Sequence, residues 1–190
     1  MPHLTKLLQE KNYQLAAYDL IFITHIVGDI HQPFHSAVLY DSDFPNGDRG
    51  GNEYPITSTF GATELHAAWD ACLGQFSGWH DGYNNAYHPS MKKIKAAATQ
   101  FEALCGQNRA SDLNPADWEA QSHAIAVNDV YPMNNPNAPK INGALSAAYI
   151  AQGQQIADVQ LCVAGKRLAG VLNAIFTAPI KTQTQNYRGS

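Results

Sequence analysis

Apolar residues recur along this chain at three- and four-residue spacing, the period of an α-helix, and the alternation of β-branched strands is nearly absent. Residues 14–29 read as a buried helix, apolar on most sides, which ends near Pro33 because proline disfavours helical geometry in the residue before it. Residues 36–63 contain Asp-Phe-Pro-Asn-Gly-Asp and a Gly50-Gly51 pair and read as a long turn-rich loop. Residues 63–73 return to helix, and a loop rich in Gly, His, Asn and Tyr follows to Pro89. Ser90 is placed to cap a helix reaching about residue 105, with Ile94, Ala97, Phe101 and Leu104 on its apolar side. Asn114-Pro115 pairs a cap with a proline at the first helical position and opens a helix to about residue 131. After an Asn- and Pro-rich loop over 132–139, a last helix spans about 142–176, with Tyr149, Ile156, Val159, Val163, Val171 and Ile175 on its apolar side. The pattern predicts an all-α, single-domain helical bundle over residues 1–190, with long loops flanking the 63–73 helix. Long loops inside a domain are commonly functional.

Composition narrows the chemistry. With 45% hydrophobic residues the chain can bury one sizeable core, and no composition shift divides it. A net charge of −4 argues against a broad basic surface that grips duplex phosphates. The start, MPHLTKLLQE, lacks a basic region followed by an apolar one, so no signal peptide is expected in it. The apolar runs 15–27 and 161–176 are interrupted by Asp19 and His25, and by Lys166 and Arg167, so no membrane span or membrane partner is expected. Cys72, Cys105 and Cys162 form no CxxC pair and allow at most one disulfide with one thiol left over.

Histidine is the biased residue. All eight lie in the first two thirds of the chain, and His25, His31 and His35 crowd one stretch. His25 and Asp29 are four apart on a predicted helix, so both side chains sit on one face within reach of one metal ion. His35 follows the bend at Pro33, and His66 and Asp70 repeat the His-x-x-x-Asp spacing on a second helix. The plain alternative is a His–Asp hydrogen bond on each helix, satisfied without metal. Two such pairs plus His35 favour a metal site, and imidazole with carboxylate suits zinc. His80, His88 and His123 have no partner at ligand spacing and are expected in loop or surface roles, and His3 is expected to face solvent.

The run Thr24 to His35, then Gly50-Gly51-Asn52, then Glu64-Leu65-His66-Ala67-Ala68-Trp69-Asp70, resembles the fungal and plant single-strand nucleases of the S1/P1 type. The likeness continues through Trp118 to Pro132 and into Arg167 to Asn173. It implies the helical phospholipase C/nuclease fold, a cluster of up to three zinc ions, and hydrolysis of single-stranded DNA or RNA and of 3′-nucleotides with release of 5′-phosphates. By the same likeness His25 resembles a ligand of the first zinc, and Asp29 the carboxylate bridging the first and third, the position to which catalysis is assigned. His35, His66 and Asp70 resemble the complete ligand set of the second zinc. The family's other ligands, an N-terminal Trp with a His behind it and a further Asp and His, have no counterpart here. The chain is therefore expected to match the C-terminal two thirds of the family's domain and to need an N-terminal chain or segment as partner.

Two departures bear on substrate. Glu64 stands where the family usually has Asn, and Ala71 where a polar phosphate-contacting residue is common. Asn52, Tyr54, Phe60 and Tyr40 lie in the loop beside the site, where the aromatic rings could stack a base or simply pack the turn. His31 and Gln32 are expected to orient ligands or to bond backbone, and Trp69 to point into the core. Two rival readings remain: a non-catalytic zinc-binding fragment, and a zinc phospholipase C, although the latter typically carries His-x-x-x-Glu where this chain has His66 and Asp70. The expected location is secreted or periplasmic.

Overall fold

The computed structural model describes residues 2–77, 90–102, 104–105 and 111–177. The expected loop after residue 77, with His80 and His88, lies outside them. Helix α1 (Pro2–Gln9) turns back at Lys11, and the Asn12 side chain accepts from the Leu15 N–H to start α2 (Tyr13–Asp29). Leu4 and Leu7 of α1 and Ala16 and Val27 of α2 pack with Trp118, Val171 and Ile175 into one core. Here the expectation for α2 fails. Only Ala16 and Val27 are buried on it, while Tyr13, Leu15, Tyr18, Ile21, Phe22 and Ile26 stand in solvent. Apolar composition states which surface favours cover, but cover depends on a neighbour, and none of the described residues lies over that side.

A second core lies under the long loop. Phe34, Leu39, Tyr54, Ile56, Leu65, Trp69, Leu73, Val130, Tyr131 and Tyr149 meet there. Two short strands pin it: β1 (Ile56–Thr57) runs parallel to β2 (Gly143–Ala144), with Ile56 opposite Gly143. Pairing with β1 takes up residues 143–144, so the last helix starts at Ala147 rather than 142, capped by the Ser146 hydroxyl on the Tyr149 N–H. Helix α3 (Leu65–Asp70) is shorter than expected, because Cys72 and Leu73 adopt positive φ and leave helical geometry.

Helix α4 (Met91–Phe101) follows Ser90, whose side chain makes no capping bond. A disulfide between Cys105 and Cys162 ties the segment after α4 to the last helix beside Val163 and Phe101. Cys72 is the thiol left over. Helix α5 (Pro115–Ile125) begins as expected, with the Asn114 side chain accepting from the Ala116 N–H. It widens into a π-helical turn over Ala126–Val130 and stops at Tyr131, which precedes Pro132 and is extended.

Helix α6 (Ala147–Phe176) packs against α1, α2, α4 and the turn after α3, and buries Tyr149, Gly153, Ala157, Gln160, Val163, Arg167, Val171 and Ile175, spaced three or four apart. By length and composition it is apolar enough to cross a bilayer. Its inward side nevertheless carries buried Gln160 and Arg167, both hydrogen-bonded to other elements of the fold.

Candidate metal centre

The two His-x-x-x-Asp pairs form as the helical period dictates. On α2, His25 Nε2 lies 3.0 Å from Asp29 Oδ2, and on α3, His66 Nε2 lies 3.4 Å from Asp70 Oδ2. Leu65, Ala68 and Trp69 bury the opposite face of α3, so packing turns His66 and Asp70 outward. Trp69 points into the core as expected, donating from Nε1 to Tyr149 Oη at 2.9 Å.

His35 reaches the same place by a different route. After α2 the chain turns through a 3₁₀ segment, Pro33–Ser36, where the Gln32 carboxamide oxygen accepts from the Phe34 N–H. Phe34 is buried, edge-on to both Trp69 and Tyr131, and this anchor sets its neighbour His35 at the surface. The His35 ring stands T-shaped on His66 with centroids 4.9 Å apart. Ligand atoms of His35, His66 and Asp70 all lie within 4.8 Å of one another, the one such cluster of three among the described residues. His25 and Asp29 are outside it and form a separate pair.

The surroundings prepare these atoms for a cation. His66 Nδ1–H donates to the Gly50 carbonyl at 2.6 Å, which leaves Nε2 with its lone pair directed toward Asp70 and His35. Gln32 Nε2 donates to Asp70 Oδ1 at 2.9 Å, holding that carboxylate while Oδ2 faces His66. Two imidazoles and a carboxylate with an open side fit a metal of zinc's preferences.

Behind the cluster the loop is fixed by Asp48, which is fully buried. Its Oδ1 accepts from Leu39 and Gly50 N–H, and its Oδ2 from Gly51 N–H and the Tyr131 hydroxyl. Gly50 and Gly51 both take positive φ. A Cβ at Gly50 would sit 2.6 Å from the Phe34 carbonyl oxygen, so only glycine brings that backbone in to meet His66.

His31 serves the corner between α2 and the 3₁₀ turn rather than the cluster. Its Nδ1–H donates to Val27 O at 2.7 Å and its Nε2 accepts from Arg167 at 2.8 Å. Burial, opposed by the Val27 hydrogen bond and aided by the Arg167 charge, lowers its pKa and keeps the ring neutral. Arg167 itself is buried, bonded to Gln121 and stacked on Trp118. Gln160 donates to His31 O at 2.8 Å and Ser122 to Ile30 O at 2.6 Å, so α5 and α6 grip this corner.

The cluster opens onto a wide cleft lined in part by His35, His66, Tyr40, Arg49, Asn52 and His123. Asn52 and the exposed Tyr40 line it as the loop's position suggested. Tyr54 does not: it is 2% exposed, and its hydroxyl donates to Pro139 O at 2.7 Å, so its ring belongs to the core. Phe60 is also absent from the lining: it packs over Gly74 and, partly buried, against the core under the loop. Arg49 and His123 are the residues that sequence reasoning missed. His123 is 57 positions beyond His66 and its Nδ1–H donates to Ser36 O at 2.8 Å; no local spacing signals that contact. His3 pairs with Asp19 at 2.7 Å and takes no part.

The fold is thus largely helical, and it gathers two imidazoles and a carboxylate that could hold a metal ion at the mouth of a cleft. The sequence matches the S1/P1 Nuclease family over residues 1–177, and the chain belongs to that family. It is 29% identical to Endonuclease 3 of Arabidopsis thaliana over 170 residues, covering 85% of this chain and 52% of that protein. Against Nuclease S1 of Aspergillus oryzae the identity is 26% over 181 residues, 91% of this chain and 59% of that protein. Endonuclease 4 of Arabidopsis thaliana is 28% identical, with 85% and 52% covered. The chain thus spans about half the length of the curated relatives it matches. No solved structure matches it.

Proposed function

We propose that this chain is part of a zinc-dependent nuclease that hydrolyses single-stranded DNA or RNA and 3′-nucleotides, releasing 5′-phosphates. The observation that carries the reading is the His35–His66–Asp70 cluster, with His66 Nε2 freed by the Gly50 carbonyl, at the rim of an open cleft in a chain of the S1/P1 family. In it His35, His66 and Asp70 hold one zinc. His25 and Asp29 contribute to further zinc positions, Asp29 being the catalytic carboxylate. The remaining ligands come from polypeptide outside these 190 residues, an N-terminal segment or chain. When bound, zinc supplies Lewis-acid polarisation of a phosphoryl oxygen and a lowered pKa for water.

The protein's own groups do the positioning. Gln32 keeps the Asp70 carboxylate in place, and Asp48 holds the Gly50 carbonyl that orients His66. Along the cleft, Arg49 offers a cation to a phosphate and Tyr40 an exposed ring to a base, while Asn52 lies at the lip. Stacking of that kind favours flexible strands, whose bases are free, over duplexes. The net charge of −4 points the same way. The Cys105–Cys162 disulfide supports a secreted or periplasmic location, since such bonds persist in oxidising compartments.

One observation favours a second reading, a metal-binding piece without activity of its own: among the described residues His25 and Asp29 pair with each other and with no third ligand. Cleavage of single-stranded DNA, measured with chelator and after zinc is restored, together with a zinc count, separates the two. Chelator-sensitive cleavage supports the nuclease. One zinc per chain without cleavage supports the second reading, and a protein that takes up no metal refutes both.

A further inference from the structure

Helix α5 turns one flank to the cleft. Trp118 and Ser122 are buried on it, and Ser122 Oγ donates to Ile30 O at 2.6 Å, which fixes the helix against the corner that leads to His35. Glu119 and His123, the next residue after each, are four apart, share one face and both line the cleft. A carbonyl oxygen only accepts, so His123 Nδ1–H donates to Ser36 O at 2.8 Å, and the neutral ring keeps Nε2 as an acceptor. That contact seats His123 against the residue that follows His35. Glu119 is exposed and makes no ion pair or hydrogen bond among the described residues, so its carboxylate presents acceptor oxygens alone. Among the described residues the two join no third metal-ligating group, so this wall lacks the ligand count of a cation site. On the loop side of the cleft Tyr40 is 68% exposed, yet its ring lies against the backbone at Gly47, where a Cβ would stand 2.9 Å from Tyr40 Cζ. The ring is thus both exposed and held in place, as a stacking platform requires.

We propose that Glu119 and His123 read the base that stacks on Tyr40 and select guanine. The inference rests on the reading that this cleft takes single-stranded nucleic acid, and it adds which base the cleft prefers and which residues choose it. Selection follows from matching donors to acceptors. On its Watson–Crick edge guanine carries N1–H beside the N2 amino group, so two donor atoms stand side by side with no lone pair between them. The α5 wall answers with acceptors: the two Glu119 oxygens take N1–H and one N2–H together, and His123 Nε2 takes the other N2–H. Adenine and cytosine each place a ring-nitrogen lone pair beside the amino group, and uracil and thymine flank a single N–H with two carbonyls. Each of those edges sets lone pairs against the carboxylate. The Glu119 charge also repels phosphate, which turns the base toward α5 and leaves the phosphate to Arg49 and the metal cluster.

The test uses titration calorimetry on the protein as its source organism produces it, supplied with zinc. The probes are the four ribonucleoside 5′-monophosphates and inosine 5′-monophosphate, which lacks the N2 amino group. Guanosine 5′-monophosphate should bind about 5- to 20-fold more tightly than the adenosine, cytidine and uridine nucleotides, the lower part of the range for a bidentate base contact because Glu119 is exposed. The inosine nucleotide, which keeps N1–H, should fall between. Glu119→Gln presents one acceptor and one donor, so it should cost guanine its advantage and raise affinity for adenine and cytosine, with zinc content unchanged. His123→Ala should narrow the gap between the guanosine and inosine nucleotides, since it removes the acceptor for the second N2 hydrogen. Equal affinity for all bases, a guanine preference that survives Glu119→Gln, or no nucleotide binding overturns the proposal. The readout is binding rather than catalysis: a protein that prefers guanine but leaves single-stranded DNA uncut refutes only the nuclease reading, and one that cuts without base preference refutes only the role given to Glu119 and His123.

Discussion

Replacing Asp48 by Asn tests whether the loop behind the cluster is held by one buried carboxylate. Asp48 accepts four hydrogen bonds at 2.7–3.0 Å, two on each oxygen. An asparagine oxygen can keep the Leu39 and Gly50 N–H groups, and the Tyr131 hydroxyl can rotate to accept from the new amide. The Gly51 N–H then faces a donor and loses its partner. An unpaired buried donor costs about 1–3 kcal/mol, and bonds to a charged acceptor contribute about 1.5–3 kcal/mol each, so Asp48→Asn should destabilise by roughly 2–4 kcal/mol. Asp48→Ala strands all four donors and should cost more than about 4 kcal/mol, a large share of the 5–15 kcal/mol typical of a whole domain. Because the Gly50 carbonyl orients His66, zinc affinity should fall as well, by about 10- to 100-fold. Urea unfolding followed by circular dichroism, with the slope checked against the parent, gives the first number. Competition with a chromophoric chelator gives the second. An Asp48→Asn protein within about 0.5 kcal/mol of the parent, the range of neutral surface changes, and with unaltered zinc affinity would refute this account of the loop.

Other outcomes follow from the same geometry. His66→Ala and Asp70→Ala should each abolish stable zinc uptake at the cluster, and Gln32→Leu should weaken it about 10- to 100-fold, as read by elemental analysis and chelator competition. Replacing Cys105 and Cys162 by Ser removes a link across 57 residues and should cost about 4 kcal/mol of stability by the loop-entropy relation, measurable as a lowered urea midpoint. Burial pushes the phenols of Tyr131 and Tyr149 above their ordinary value of 10.0, with Asp48 adding to the effect at Tyr131 and the Trp69 hydrogen bond opposing it at Tyr149. The unfolded chain therefore releases these protons first. Their contribution to stability is full below pH about 10 and is lost as pH rises beyond it. Tyrosinate absorbance at pH about 11 should report fewer than all nine tyrosines ionised in the folded protein, and all of them in urea; identical curves would contradict the burial argument.

What could be read from the sequence follows from what is local. Helix hydrogen bonds and four-residue spacing depend on neighbours along the chain, so α2, α3, α5 and most of α6 were visible as periodic runs, and the His25–Asp29 and His66–Asp70 pairs could be placed on single faces. The S1/P1 likeness was legible for the same reason, since its motifs are short and contiguous. Tertiary packing decided the rest. His35 meets His66 because Phe34 is clamped edge-on between Trp69 and Tyr131, a contact no spacing encodes. Tyr54 and Phe60 looked available to a substrate, yet the core under the loop claimed them, because a loop this long needs aromatic volume to fold over. Cys105 could have paired with either of the other thiols until α4 lay beside α6. Helix α2 shows the limit most plainly: its sequence determined that its outer side favours burial, while only the assembled structure revealed that the described residues leave that side open.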